Sequence, residues 1–256
     1  MRLYYLYLIA LVPYFAGAQP TFTKQESKYF GDIITEGVAI HRVVSPLKSS
    51  IGSSTIYVVQ AIPDKIGLNT KICKAPEAFV DSEVLATINA PSSGYKKFSG
   101  RSNGYKLANS MAYFAWHPIR NDSAYIRFFN RIDFDKHSKS YLNVVEGKLL
   151  IEDSVVTVTE EETYMSISAI GLDRFDRLIF LHSRSPYSLH QFASIVNETL
   201  KGVKVLILTG QGKESVLGFK GVDKPYFSYG SYQTGKSEND DNENFFATPL
   251  LLLQVR

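Results

Sequence analysis

A single well-signalled helix, bracketed by two apolar runs, constrains the fold of this chain more than any other stretch. In Tyr187-Ser188-Leu189-His190-Gln191-Phe192, Ser188 and Gln191 have capping-box spacing. The hydroxyl and the amide then satisfy backbone N–H groups that a first helical turn leaves unpaired, and Tyr187 with Phe192 fits the hydrophobic staple around the cap. Phe192, Ile195, Val196 and Leu200 recur at helical spacing. Gly202 is expected to stop the helix at Lys201. Residues 177–181 before the helix and 203–208 after it are apolar, strand-like runs. This order predicts a β–α–β unit with parallel strands and a right-handed crossover.

The remaining patterns are mostly those of strands. Residues 55–62 (TIYVVQAI) are rich in β-branched and aromatic side chains, and 84–89 (VLATIN) read as a buried strand. Further runs at 125–134, 141–145, 148–151, 155–159 and 164–172 follow closely enough to imply antiparallel pairing. Glu146-Gly147 sits where a tight hairpin turn would join two of them. Residues 76–83 suit a short helix with Pro76 in its first turn, and 249–255 (PLLLLQV) a closing strand. The expected class is α+β: a mixed, largely antiparallel sheet with a C-terminal right-handed β–α–β unit.

Residues 1–18 stand apart from this domain. Arg2, the apolar run 3–15 and Ala16-Gly17-Ala18 reproduce the positive start, apolar middle and small-x-small end of a cleaved signal peptide. The run is short and Tyr-rich for a membrane span, and nothing later approaches the ~20 apolar residues a span needs. The chain is therefore expected to be secreted or periplasmic, with 19–34 as a lead-in and 35–256 as one domain, a size that suits the 256-residue total. The net charge of +3 is small and dispersed, which argues against nucleic acid as a partner. Cys73 stands alone, so no internal disulfide is available. It reads as a buried small residue or as a reactive thiol. The five histidines show no metal-ligand spacing, the acidic run 237–244 lacks an EF-hand's ligand order, and neither metal nor cofactor is expected. Asn121-Asp122-Ser123 and Asn197-Glu198-Thr199 match the glycosylation acceptor pattern. The polar stretch 91–110, with Tyr95, Phe98 and Tyr105 interleaved, is either a docking loop or a surface excursion.

In a sheet with a β–α–β unit, ligands gather beyond the carboxyl ends of the parallel strands. Two segments fall there: His182-Ser183-Arg184-Ser185-Pro186-Tyr187 and Thr209-Gly210-Gln211-Gly212-Lys213-Glu214-Ser215. The first leads into a helix N-terminus, which favours anions, and Arg184 adds a guanidinium fork suited to phosphate or carboxylate. The glycines of the second let a ligand approach the backbone. The alternative is structural: His182 as a packed strand-end residue, Arg184 in an ion pair, Gly210 and Gly212 serving a turn.

The order of these segments resembles the phosphodiester glycosidase domain family, the N-acetylglucosamine-1-phosphodiester alpha-N-acetylglucosaminidase-like proteins. The likeness rests on residues 56–62, on Leu85-Ala86-Thr87-Ile88-Asn89-Ala90, on Ser168-Ala169-Ile170-Gly171-Leu172-Asp173 and on 181–192 with 208–215. It spans roughly 35–220. The resemblance implies a glycan or sugar-phosphodiester ligand, with Asn89, His182, Ser183, Arg184, Ser185, Gly210 and Ser215 on the substrate; for Asn89 the alternative is a cap on the chain reversal at Pro91. The chain departs from the family at two positions. Ile167 stands where an Arg is usual, and Thr209 opens the glycine-rich turn in place of an acid. Glycosidic cleavage ordinarily uses two carboxyl groups, and Glu214 is the candidate to supply one from a displaced position. The two expectations are a hydrolase of sugar phosphodiesters and a non-catalytic relative that binds a glycan or cell-envelope component.

Overall fold

The computed structural model describes residues 19–26, 28–90, 96–97, 111–120, 124–234 and 247–256. The order starts with β1 (Phe22–Lys24), β2 (Lys28–Thr35), β3 (Val38–Val44), β4 (Leu47–Ser49) and β5 (Thr55–Ala61). Then come β6 (Ile66–Cys73), the one-turn α1 (Ala75–Ala78) and β7 (Val84–Asn89). β8 (Lys96–Lys97), β9 (Met111–Pro118), β10 (Ile126–Asn130) and α2 (Arg131–His137) follow. β11 (Tyr141–Glu152), β12 (Val155–Val156), β13 (Met165–Asp173) and β14 (Leu178–Tyr187) lead into α3 (Leu189–Thr199). β15 (Val203–Gln211), β16 (Val216–Phe219), β17 (Tyr226–Tyr229) and β18 (Thr248–Val255) complete the order.

The large sheet runs β10-β9-β11-β15-β13-β14-β5-β3-β2, with β8 and β12 also on β11. A second sheet runs β17-β16-β7-β18-β6, and β1 pairs with β4. The layers follow from strand alternation, since successive side chains point to opposite faces. Ile179 and Leu181 of β14 join Ile167, Ala169 and the α3 residues Phe192, Ala193 and Val196 in one buried cluster. Leu178 and Phe180 face the other way, onto Ala86, Ile88, Leu217 and Leu251 of the second sheet. β13 is buried along its whole length, and β14 everywhere except Arg184, because both faces are covered.

The α+β expectation with a β–α–β unit is overturned. All strand pairings among the described residues are antiparallel. β14 and β15 do flank α3, but β13 lies between them and runs antiparallel to both. The three α-helices among the described residues are short, and the molecule is a β-rich sandwich with one helix packed on its outer face. The apolar runs that suggested parallel neighbours are continuous because β14 and β15 sit in a middle layer. The Glu146-Gly147 hairpin is absent too: β11 passes straight through. A Cβ at Gly147 would lie 2.5 Å from the Leu208 carbonyl oxygen, so glycine serves close strand approach there.

The α3 cap is as expected. Ser188 Oγ accepts from the Gln191 N–H at 3.1 Å, and Gln191 Oε1 accepts from the Ser188 N–H at 3.2 Å. The helix ends at Thr199, two residues before Lys201, which with Gly202 turns left-handed (φ 52° and 108°). Residues 19–34 supply β1 and most of β2, which pairs with β3 at the sheet edge. The signal-like residues 1–18, most of the 91–110 stretch, the 121–123 acceptor pattern and the acidic run 237–244 lie outside the described residues. Among the described residues, no helix is long and apolar enough to cross a membrane.

Candidate functional site

The first candidate segment is strand rather than loop, because β14 continues through His182 to Tyr187. Its pleat therefore sorts the candidates by face. His182 is opposed by Tyr57 on one side and Ser168 on the other, Tyr57 by Arg42, and Ser168 by Gly210. Directly opposed residues of antiparallel strands share a face, so Arg42, Tyr57, His182, Ser168 and Gly210 form one row across the sheet. That row lies where the apolar core between the two sheets ends.

His182 is wholly buried, with Nδ1 3.0 Å from Ser168 Oγ. Its Nε2 has no hydrogen-bond partner among the described residues. Burial, assisted by the nearby Arg184 guanidinium, pushes its pKa down to about 3. The ring is thus neutral at ordinary pH, with one nitrogen fixed by Ser168 and one left over.

Next along the row, Gly210 meets Asn89 from the second sheet. The Asn89 amide donates from Nδ2 to the Thr209 carbonyl at 2.6 Å, and its Oδ1 accepts from the Val216 N–H at 3.2 Å. Any Cβ on Gly210 would overlap that amide. Both ends of the Asn89 amide are therefore engaged, one across to the large sheet and one within its own. Asn89 also lines a pocket of about 300 Å³ with Thr209, Lys213, Glu214, Tyr229 and Thr248. Glu214 is exposed at that pocket, in a 3-10 turn (Gly212–Glu214). Gly212 is left-handed (φ 57°). Ser215 is buried and donates to the Gly212 carbonyl at 2.7 Å. Thr209 Oγ1, also buried, has no partner among the described residues.

Ser183 and Ser185 point to the opposite face. Ser183 Oγ donates to the Ser185 carbonyl at 2.9 Å, and Ser185 Oγ accepts from the Ser54 N–H at 2.8 Å. They anchor the turn after β4. Arg184, on the His182 side, is exposed, and its Nε reaches Ser231 Oγ at 3.4 Å. The segment 230–232 runs between Arg184 and the Glu214 pocket. Ser166 Oγ accepts from the Ser231 and Tyr232 N–H groups and donates to the Arg184 carbonyl at 2.6 Å. Gly230 fits between Ser166, Gly212 and Ser215 so closely that a Cβ would overlap them.

The structure thus gathers Asn89, Gly210, Glu214 and Ser215 at one corner, with His182 and Arg184 beside it and Ser183 and Ser185 behind. Sequence reading placed Thr209 only at the opening of the glycine-rich turn, and missed Ser168 and Tyr57 as members of the row. Ser168 begins the 168–173 segment, but its role follows only from register with His182. Ile167 lies in the α3-side core, facing away from the row. Asn197 of the second acceptor pattern lies inside α3, with Nδ2 donating to the Ser154 carbonyl at 2.8 Å. Cys73 is buried, and burial pushes its thiol up. Among the described residues, no three His, Cys, Asp or Glu side chains gather as a metal site would need.

No family model and no curated protein matches the chain. Solved structures do match. The zebrafish N-acetylglucosamine-1-phosphodiester alpha-N-acetylglucosaminidase catalytic domain, auto-inhibited by pro-peptide, superposes with a TM-score of 0.52 at 14% identity. The match covers 93% of this chain and 89% of that one. A hypothetical protein from Synechocystis superposes at 0.55 with 12% identity, over 91% of this chain. The chain spans 64% of that protein's length. At such identities the likeness shows a shared fold alone.

The His182 environment sets a pH signature. Its folded pKa lies below the unfolded value of about 6.5, so the unfolded chain binds the extra proton as pH falls. Stability from this group is complete above about pH 6.5 and declines towards pH 3, by up to about 1.4 kcal/mol per unit. Urea unfolding at pH 7 and pH 5 should show a drop in wild type that is smaller in His182→Asn. Equal drops in both proteins would contradict a neutral buried ring.

Proposed function

We propose that this protein takes a sugar phosphodiester at the corner where Asn89 meets Gly210, and hydrolyses its glycosidic bond. The supporting observation is a pocket lined by Asn89, Thr209 and Glu214, with Gly210 packed against the Asn89 amide and Ser215 closing the turn that carries Glu214. It occurs on a fold shared with a catalytic domain named for N-acetylglucosamine-1-phosphodiesters. In this reading Arg184 pairs with the phosphate, which a planar guanidinium does in two-pronged fashion. Water adds to the sugar's anomeric carbon, the bond from that carbon to the phosphate oxygen breaks, and a phosphate monoester leaves. Glu214 transfers the proton, the role a carboxyl group takes in glycoside cleavage.

A second reading, a glycan-binding protein without turnover, is favoured by a specific observation. Glu214 is the only carboxylate lining the pocket among the described residues, where hydrolases ordinarily place two. The Asn89 amide is moreover already engaged at both ends. The two readings share a ligand class and part on catalysis.

Incubation with N-acetylglucosamine 1-phosphodiesters, with released sugar measured, decides between them. The first reading expects release that Glu214→Gln lowers by about 10²-fold or more. It expects Arg184→Ala to raise KM by roughly tenfold. Undiminished release from Glu214→Gln would remove Glu214 from the chemistry, and binding without release would select the second reading.

We also propose that the protein is exported and cleaved after Ala18, on the pattern of residues 1–18. Mass spectrometry of the protein from its native host should find Gln19 as the first residue. Recovery with the apolar run still attached would contradict cleavage.

A further inference from the structure

Between the two sheets, at the Tyr57 end of the row that holds His182, lies a group of aromatic side chains that the proposed reaction leaves unused. Tyr57 of β5, Phe219 of β16 and Tyr226 of β17 pack on one another, with ring centroids 4.8–6.0 Å apart. The Tyr57 and Tyr226 hydroxyls are 2.8 Å apart. Tyr57 and Phe219 rest on the edge of the inter-sheet core, whereas Tyr226 stays 41% exposed. Packed rings of this kind, one of them open to solvent, offer a flat apolar face with a polar tip.

The surroundings say what would cover it. Arg42 stands opposite Tyr57 in register, and Arg184 follows His182 on the same face of β14, so two guanidinium groups flank the ring cluster and act electrostatically on the Tyr226 hydroxyl. Arg42 is only loosely committed elsewhere: its contact to Asp32 is 3.8 Å long, with both side chains more than half exposed. Burial and the hydrogen bond to Tyr57 push the Tyr226 phenol up, so its hydroxyl keeps its proton against that positive field. Tyr57 is opposed in register by His182, whose wholly buried Nε2 lacks a partner among the described residues. An apolar face with a phenol hydroxyl at its tip and two cations beside it matches a ligand with a ring of C–H bonds, hydroxyls and an anionic group. A sugar phosphate ester has all three.

We propose that Tyr57, Phe219 and Tyr226 form the platform on which the sugar ring of the phosphodiester stacks, with Arg184 and Arg42 holding its phosphate. This rests on the sugar-phosphodiester reading above and adds to it the residues that select a sugar over other phosphate esters. Tyr226 is the specificity-determining residue, because its ring is the exposed one.

The test uses calorimetric titration of the purified protein with two probes. One is the C-glycosidic phosphonate of N-acetylglucosamine as its methyl ester, which is uncleavable. The other is dimethyl phosphate, an anionic diester without a sugar. Tyr226→Leu keeps apolar contact with its neighbours but removes the ring, and Tyr226→Phe keeps the ring. We expect Tyr226→Leu to weaken the sugar probe on the order of tenfold, and dimethyl phosphate by far less. Tyr226→Phe should stay within about threefold of wild type for the sugar probe. Thermal unfolding of each variant checks that the protein is folded. If Arg184→Ala weakens both probes while Tyr226→Leu changes neither, the platform is refuted and the phosphodiester reading stands. Equal weakening of both probes by Tyr226→Leu also refutes the platform. If Arg184→Ala changes neither probe, or wild type binds neither, the phosphodiester reading itself fails.

Discussion

The amide of Asn89 ties the two sheets together at the point where their shared apolar core runs out. Elsewhere the sheets hold by close packing of side chains such as Ile88, Phe180 and Leu251. At the β14/β15 end the large sheet turns polar, with His182, Ser168 and Gly210 in one row, and apolar packing has nothing to grip. Asn89 bridges there with a hydrogen bond to each side: Thr209 of the large sheet and Val216 of its own. A buried amide that lost such partners would cost about 1–3 kcal/mol per unsatisfied group. The contact also dictates residue 210, since only glycine leaves room for the amide.

That joint decides what the neighbouring residues are free to do. With Asn89 and Ser215 both turned inward onto backbone carbonyls, the exposed chemistry at the corner falls to Glu214 and Arg184, on either side of segment 230–232. His182, two residues before Arg184 on the same strand face, is held as a neutral ring by burial and by the positive charge of Arg184. The pleat of β14 removes Ser183 and Ser185 from this face and uses them to fasten the turn near Ser54. One strand therefore carries two sets of polar residues with different work: one set knits the α3 side, and the other faces the sheet interface.

Elements defined by local chemistry were legible in the sequence: the Ser188–Gln191 cap, the buried β7, β5 with its β-branched run, and β18. Pairing order was not. β14 and β15 read as parallel partners because each is apolar on both faces, which a middle-layer strand in an antiparallel sandwich shows equally. Nothing local to β13 says that it inserts between them. Gly147 carried a turn signal although the close approach of Leu208 explains it. In the site, Asn89, Gly210 and Ser215 stood out through resemblance, whereas Ser168 became visible only through cross-strand register. Tyr57 and Tyr226 are separated by 169 positions in sequence, a distance over which no spacing rule reaches.

The fit of Asn89 against Gly210 carries the corner, and a double-mutant cycle measures it directly. Urea unfolding would be recorded for wild type, Asn89→Ala, Gly210→Ala and the double variant. A Cβ at 210 is intolerable only while the amide occupies that space. Gly210→Ala should therefore cost at least about 1 kcal/mol more in the wild-type background than in the Asn89→Ala background. Costs that simply add, within about 0.5 kcal/mol, would mean that the two residues do not meet and that the corner is built otherwise.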